Sequence, residues 1–330
     1  MGAAAFIGLG SNMGDRKAHL DSALDALDAT PGIALFAASS YHETRPVGGA
    51  PGQGLFLNAA AAIETSLAPV ELLAALQAIE RAEGRTRSDR WGERTLDLDL
   101  LLFSDHRIRI VASGPPAATE VVHLEVPHPW LPFRRFVLAP LAEIAPDAID
   151  PITGRSVASL FANLDRRPSY VAICDPFNRI ECDVEAMLVT ALNAARCSGR
   201  TERFAAKFPG AGRYSEAASA FLNSLEDIRT ELDPATWTRD LADDRWLVTS
   251  FWFDEFVYFA EKALTDADRD HFHEAAEAVR CTIVTPTFVV AEPSAVSFYT
   301  GEVPILPVAT EASRDVVSKV LAACAATRAG

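Results

Sequence analysis

Residues 84–99 read GRTRSDRWGERTLDLD, which sets four arginines (Arg85, Arg87, Arg90 and Arg94) directly ahead of two aspartates, Asp97 and Asp99. In the run from Leu96 to Phe103, side chains of a strand alternate between faces, so Asp97 and Asp99 point one way and Leu96, Leu98 and Leu100 the other. Alternate residues lie roughly 6.5 Å apart, within reach of a pair of metal ions about 3.5–4 Å apart. Alternation alone also describes an ordinary half-solvated strand. The arginines distinguish the two readings. They sit in a stretch with no helical apolar period, hence on a loop, and planar guanidinium forks match phosphate oxygens while carboxylates suit Mg²⁺. The expected chemistry is the holding of a polyphosphate with its metals.

These residues need a scaffold. The chain has 330 residues, enough for two domains with separate cores. A net charge of −15 argues against general affinity for nucleic acid or anionic membrane. No apolar run reaches membrane-span length and the N-terminus lacks the pattern of an export signal, so a cytoplasmic location is expected. The five cysteines, Cys174, Cys182, Cys197, Cys281 and Cys324, show none of the close pairs of zinc sites and read as buried, reduced thiols. His271 and His273 read as exposed helix residues rather than metal ligands.

Apolar patterning predicts strands at Phe6–Leu9, Ile33–Tyr41, Leu55–Thr65 and Thr95–Phe103, and helices over residues 16–28 and Pro69–Glu83. This order is mixed α/β. Gly8, Gly10 and Gly14 are spaced one residue too long for a dinucleotide fingerprint. Asn58 interrupts the apolar run FLNAAAAIE, and a buried amide needs a partner from chain or ligand. Between Tyr41 and Leu55 the Gly/Pro-rich HETRPVGGAPGQG predicts a loop beside a site. The polar stop DRRP at 165–168 marks a domain boundary, giving domains 1–166 and 167–330. Residues 1–167 carry net charge −5 and residues 168–330 net charge −10, with every cysteine in the latter.

FIGLGSNMGDR (6–16), ETRPVG (43–48), FLNAA (56–60), the arginine and aspartate segment (84–103) and VPHPWLPFRRFVLAPLAEIAPD (126–147) together closely resemble the 6-hydroxymethyl-7,8-dihydropterin pyrophosphokinase family, over nearly all of residues 1–165. The resemblance implies a ferredoxin-like α/β sandwich that transfers pyrophosphate from ATP to the hydroxymethyl group of the pterin, releasing AMP. By motif position it implies Asp97 and Asp99 as ligands of two Mg²⁺ ions, and Arg85 and Arg94 on the transferring group. Gln77, Glu80, Arg87, Arg90, Trp91, His128 and Arg134 are implied around ATP, and Thr44, Val47, Phe56, Asn58 and Phe136 around the pterin. Two positions depart from the family pattern. Trp130 stands where relatives often carry Arg, and the Arg87 to Arg90 spacing is one residue shorter than in some of them.

Residues 169–330 show strand-like runs at Tyr170–Ile173, Trp246–Ser250 and Thr287–Ala291 between helical stretches, which predicts a helix-covered parallel sheet. DRWLVTSFWFDEFVYFAEKALTDADRDHF (244–272) and PTFVVAEPS (286–294) partly resemble the deoxynucleoside kinase family. The expected fold is a P-loop-kinase-like parallel α/β domain lacking its P-loop. The segment after the first strand, CDPFNRIE (174–181), has neither glycine nor lysine, and none of the four lysines precedes Ser or Thr. This half is therefore expected to serve dimerisation, stability or regulation. Two alternatives remain beside a pterin pyrophosphokinase: a bifunctional enzyme that also phosphorylates nucleosides, and a non-catalytic nucleotide-binding scaffold.

Overall fold

The computed structural model of the protein describes residues 2–47, 52–84, 94–113, 121–174, 180, 183–196, 214–235, 245–250, 252–292, 303–308 and 312–329. The chain divides into two compact units, Met1–Leu164 with Ala322–Gly330, and Asp165–Leu321.

The first unit begins with β1 (Ala3–Ser11), α1 (Arg16–Ala29), β2 (Ile33–Ala38), β3 (His42–Thr44), β4 (Phe56–Thr65), α2 (Pro69–Ala82) and β5 (Asp97–Phe103). Its sheet has the order β2-β4-β1-β5 with β3 added on β4, and every pairing is antiparallel. With β3 set aside, this is a split β-α-β-β-α-β arrangement. In β1 alternation sends Ala5, Ile7 and Leu9 into a core with Leu20, Ala23 and Leu27 of α1 and Leu72, Leu76 and Ile79 of α2. Each fully buried leucine contributes about 1.5–3 kcal/mol. The opposite face of β1 carries Gly8 and Gly10.

Local signals set the helix ends. Asp15 caps α1, its carboxylate accepting the Ala18 N–H at 3.1 Å. Pro69 occupies the first turn of α2, and the Glu71 carboxylate accepts the Ala68 N–H at 2.8 Å. Gly84 follows α2 with φ +78°, the left-handed backbone that ends a helix at little cost for glycine.

After β5 come the hairpin of β6 (Ile108–Ser113) and β7 (Val121–Val126), a 3₁₀ turn at Leu131–Phe133, α3 (Arg135–Ile144) and α4 (Val157–Leu164). Val137, Leu138 and Leu141 of α3 pack with Leu160 of α4 against Ala60, Leu101 and Leu102, on the sheet face opposite α1 and α2. Truncating Leu138, which is fully buried, would cost about 2–5 kcal/mol.

The loop expected between Tyr41 and Leu55 begins later than its composition indicates. His42–Thr44 pairs with Phe56–Asn58, because the start of β4 offers an unpaired edge that satisfies this backbone.

The second unit contains β8 (Ser169–Cys174), α5 (Val184–Ala191), β9 (Ala195–Arg196), α6 (Tyr214–Glu231), β10 (Trp246–Thr249), α7 (Phe253–Ala263), α8 (Asp266–Arg280), β11 (Phe288–Ala291) and β12 (Ile305–Pro307), followed by α9 (Ser313–Arg328). The sheet order is β12-β11-β8-β10-β9, all parallel. The expected parallel sheet is present. Every residue of β8 is buried, as a strand covered on both faces requires. Phe221, Leu225, Phe256 and Phe272 of α6, α7 and α8 close one face over Tyr170, Leu247 and Val289.

His271 and His273 lie exposed on α8, and His273 meets Glu261 at 2.7 Å. Cys174 and Cys324 are buried cysteines, but Cys281 is exposed, because it caps the C-terminus of α8. Cys182 and Cys197 lie outside the described residues. Among the described residues no helix is long and apolar enough to cross a membrane.

Candidate active site

Two bare positions in β1 open the site. Gly8 pairs with Asp99, and Gly10 with Asp97 on one side and Asn58 on the other, so neither strand neighbour meets a side chain there. Over them lies an open cleft. Its lining brings together Asp97, Asp99, Arg94, Arg134, Thr44, Val47, Phe56, Asn58 and Phe136, nine of the residues singled out from the sequence. Arg45, Pro46, Gln53 and the two glycines also line it. Glycines alternating with Ile7 and Leu9 were the available sign of the bare face.

Both carboxylates turn into the cleft, away from Leu96, Leu98 and Leu100 in the core. Arg94 Nη1 donates to Asp97 Oδ2 at 2.6 Å, and Arg134 Nη1 to Asp99 Oδ2 at 3.0 Å. His128 Nε2 stands 3.8 Å from the same Asp99 oxygen. Burial alone would raise the Asp99 carboxyl, but His128, Arg134 and Arg94 outweigh it and hold the group below its ordinary value. Burial pushes the His128 imidazole down to about 4, against the pull of Asp99 and aided by the repulsion of Arg134. At neutral pH the positive charge facing Asp99 is therefore carried by the arginines.

Backbone contacts fix these groups. The His128 N–H donates to the Leu101 carbonyl at 2.9 Å, tying the turn after β7 to the aspartate strand. The Arg134 guanidinium lies 5.9 Å from the Trp130 ring and 5.8 Å from the Phe136 ring, within cation–π range of both. Trp130, the departure noted above, has this contact to offer in place of a charge.

Asn58 is buried, and its Nδ2 donates to Thr44 Oγ1 at 2.9 Å. That bond orients the amide toward the cleft. Phe56 and Phe136, expected on the two sides of a flat ring, both line the cleft.

Glu80 sits elsewhere. It is 4% exposed, and its Oε1 accepts the Leu98 N–H at 2.8 Å, so its carboxylate grips the backbone between the two aspartates instead of lining the cleft. Gln77, one turn earlier on α2, is half-buried and does not line the cleft either. Arg85, Arg87, Arg90 and Trp91 lie outside the described residues.

The donor set suits a magnesium ion. Two carboxylates on one strand face supply hard oxygens, and Mg²⁺ is commonly held by one or two carboxylates with substrate phosphates completing its shell. Among the described residues no group of three or more His, Cys, Asp or Glu side chains forms a closed metal cage.

Comparison with known proteins agrees with this geometry for the first unit. Residues 6–146 match the family of 7,8-dihydro-6-hydroxymethylpterin-pyrophosphokinases. A 2-amino-4-hydroxy-6-hydroxymethyldihydropteridine pyrophosphokinase of Methylorubrum extorquens is 44% identical over 161 residues, 49% of this chain and 93% of that protein. Proteins of the same description from Synechocystis sp. and Bacillus subtilis are 39% and 48% identical, covering 49% and 42% of this chain and 76% and 77% of their own lengths. A crystal structure of an HPPK-DHPS protein in complex with substrates aligns with a TM-score of 0.40 at 13% identity, over 88% of this chain and 76% of that one, too distant to bear on either unit. The deoxynucleoside kinase resemblance of residues 244–294 gains no support from these comparisons. On the identities and coverage of its first half, the chain belongs to the 7,8-dihydro-6-hydroxymethylpterin-pyrophosphokinase family.

Proposed function

We propose that residues 1–166 form a Mg²⁺-dependent pyrophosphokinase domain that transfers pyrophosphate from ATP to 6-hydroxymethyl-7,8-dihydropterin, giving AMP and the pterin diphosphate for folate biosynthesis. The observation that carries this reading is the single cleft in which Asp97, Asp99, Arg94 and Arg134 meet Thr44, Phe56, Asn58 and Phe136. One half is built for charge and the other for a flat polar ring. Asp97 and Asp99 would hold two Mg²⁺ ions, which when bound neutralise the phosphate oxygens. Arg94 and Arg134, which pair with these carboxylates, have guanidinium forks to offer phosphate. Arg85, Arg87, Arg90, Trp91 and His128 complete the nucleotide side of the proposal. Gln77 and Glu80 act there through α2, Glu80 by fixing Leu98. On the pterin side Phe56 and Phe136 sandwich the ring, Asn58 reads its polar edge, and Thr44 and Val47 close one end.

This chemistry depends on alignment and on neutralising charge over oxygens, and so assigns no general base to the protein. The ferredoxin-like description of this domain is supported by its antiparallel order β2-β4-β1-β5. Dependence on ATP favours a cytoplasmic location.

For residues 167–330 we propose a P-loop-kinase-like module that has lost phosphate binding and serves stability, regulation or homodimerisation. Its support is the five-stranded parallel sheet with β8 at the centre, followed by a segment without glycine or lysine. Light scattering on the full chain tests the dimer.

Release of AMP from ATP, measured with and without the pterin and again with deoxynucleosides, tests the whole reading. AMP that appears only with the pterin is the expected result. AMP formation independent of the pterin, or no turnover with it, overturns the proposal for the first domain, and ADP formed with deoxynucleosides overturns that for the second.

A further inference from the structure

Asn12 sits one residue beyond β1, ahead of the turn that leads into α1, and is 6% exposed. Its backbone N–H donates to the Arg94 carbonyl at 3.1 Å, and its side-chain Oδ1 accepts the Arg94 N–H at 2.7 Å. One residue therefore takes both backbone groups of another that is 82 positions away in sequence. Among the described residues the Nδ2 of Asn12 finds no hydrogen-bond partner, and the same is true of the neighbouring buried hydroxyls Ser11 Oγ and Thr95 Oγ1. A buried amide with an unmet donor is an expensive way to gain stability, since such a group costs about 1–3 kcal/mol. Its geometry instead fixes the direction in which the Arg94 side chain leaves the backbone.

We propose that Asn12 is a positioning residue for Arg94. The inference rests on the reading of the cleft as a pyrophosphokinase site. The Arg94 guanidinium is held at its tip by Asp97. That restraint competes with whatever else claims the Asp97 carboxylate, including the divalent cation proposed above. The two backbone bonds to Asn12 lie outside that competition. They keep Arg94 aimed into the cleft when its tip changes partner, and with both the N–H and the C=O occupied, the peptide planes on either side cannot swing.

Misplacing a catalytic group by about 1 Å costs on the order of 100-fold in rate. Asn12→Ala is accordingly expected to lower kcat by about 10- to 100-fold while the pterin KM changes by less than about 2-fold. In an Arg94→Ala background the same change should cost less than about 2-fold, because a residue that acts only through Arg94 has nothing left to aim. An equal loss of kcat in both backgrounds overturns the proposal, as does an effect confined to KM. Amide hydrogen exchange supplies a readout independent of turnover. The Arg94 N–H should be protected in the ligand-free wild-type protein and exchange at least about 10-fold faster in Asn12→Ala, matching the loss of roughly one hydrogen bond. Rapid exchange of Arg94 in the wild type refutes the latch even if no variant folds. Protection of Arg94 in a wild-type protein that forms no AMP would instead fault the functional reading and leave the latch standing.

Discussion

β1 fits closely against the Asn58 amide in the cleft, and Gly10→Ala probes this contact directly. A Cβ built on Gly10 would lie 3.3 Å from Asn58 Oδ1 and 3.9 Å from Phe56 Cδ1. The second contact is ordinary, but the first requires the amide to retreat by a few tenths of an ångström. Asn58 has little freedom to do so, being buried with its Nδ2 held by Thr44 at 2.9 Å. Moving it off its rotamer costs about 0.5–1.5 kcal/mol, and weakening its hydrogen bonds costs about 0.5–1.5 kcal/mol more. The sum, ~1–3 kcal/mol, corresponds to ~5- to 150-fold in the pterin KM at about 1.4 kcal/mol per decade. Replacing a strand glycine with alanine acts in the opposite direction on folding, gaining about 0.5–1 kcal/mol. Because that gain is smaller than the strain, the variant should melt somewhat lower than the parent while also binding pterin worse, with the KM for ATP little altered. Steady-state AMP formation with pterin varied at saturating ATP, beside a thermal melt, measures both. An unchanged pterin KM in the folded variant would refute the assignment of Asn58 to the ring edge. Equal increases in both KM values would show that Gly10 shapes the cleft as a whole.

Asp97→Asn and Asp99→Asn should each lower kcat by at least about 100-fold, because each removes a proposed metal ligand while keeping the size of the side chain; near-normal turnover in either would remove the two-metal assignment. Tyr41 is raised to about 12 by burial and by its hydrogen bond to Asp21, so its contribution to stability is complete below its ordinary value near 10 and lost as pH climbs through about 12. Phenolate absorbance of the parent minus Tyr41→Phe should show a step near the upper value, and a step at the ordinary one would contradict the contact. In the second unit Asp254 is 4% exposed and paired with Arg280, which also meets Glu277 at 3.0 Å, so Asp254→Ala, which removes the buried partner of a partly buried cation, should destabilise that unit by about 1.5–3 kcal/mol in denaturant unfolding followed by tryptophan fluorescence. A loss under about 1 kcal/mol would place the pair with surface ion pairs.

Much of this arrangement could be read in advance because strand and helix periods differ. The alternation in LDLDLLLF placed two acids on one face, and the apolar patterning over Pro69–Glu83 marked a helix. Long-range partners were not legible. Nothing in the local pattern sets Arg134 against Asp99, since the contact depends on α3 docking across the sheet. The same gap explains Glu80. Its spacing from Gln77 placed both on one helix face and the family resemblance placed that face at the nucleotide, but only packing shows the carboxylate bound to the Leu98 backbone. β3 was hidden by loop-like composition, because its strand character comes from the edge it joins. Gly8 and Gly10 drew attention only as a failed nucleotide fingerprint, although their alternation was informative. In the second unit the apolar runs disclosed β8, β10 and β11. The two-residue β9 carries too little pattern to be found.

Ala60 lies two positions along β4 from Asn58 and packs beneath Val137, Leu138 and Leu141 of α3. Its single methyl lets the helix settle close to the sheet, and the first turn of that helix carries Phe136, two residues after Arg134. The aperture for a ring is thereby governed from behind, by a residue no ring would touch. A branched side chain at this position would lever the helix outward and shift the aromatic wall and its neighbouring cation as one piece. On the pterin placement proposed above, tolerance for bulkier pterins would therefore be adjustable from the floor of the sheet.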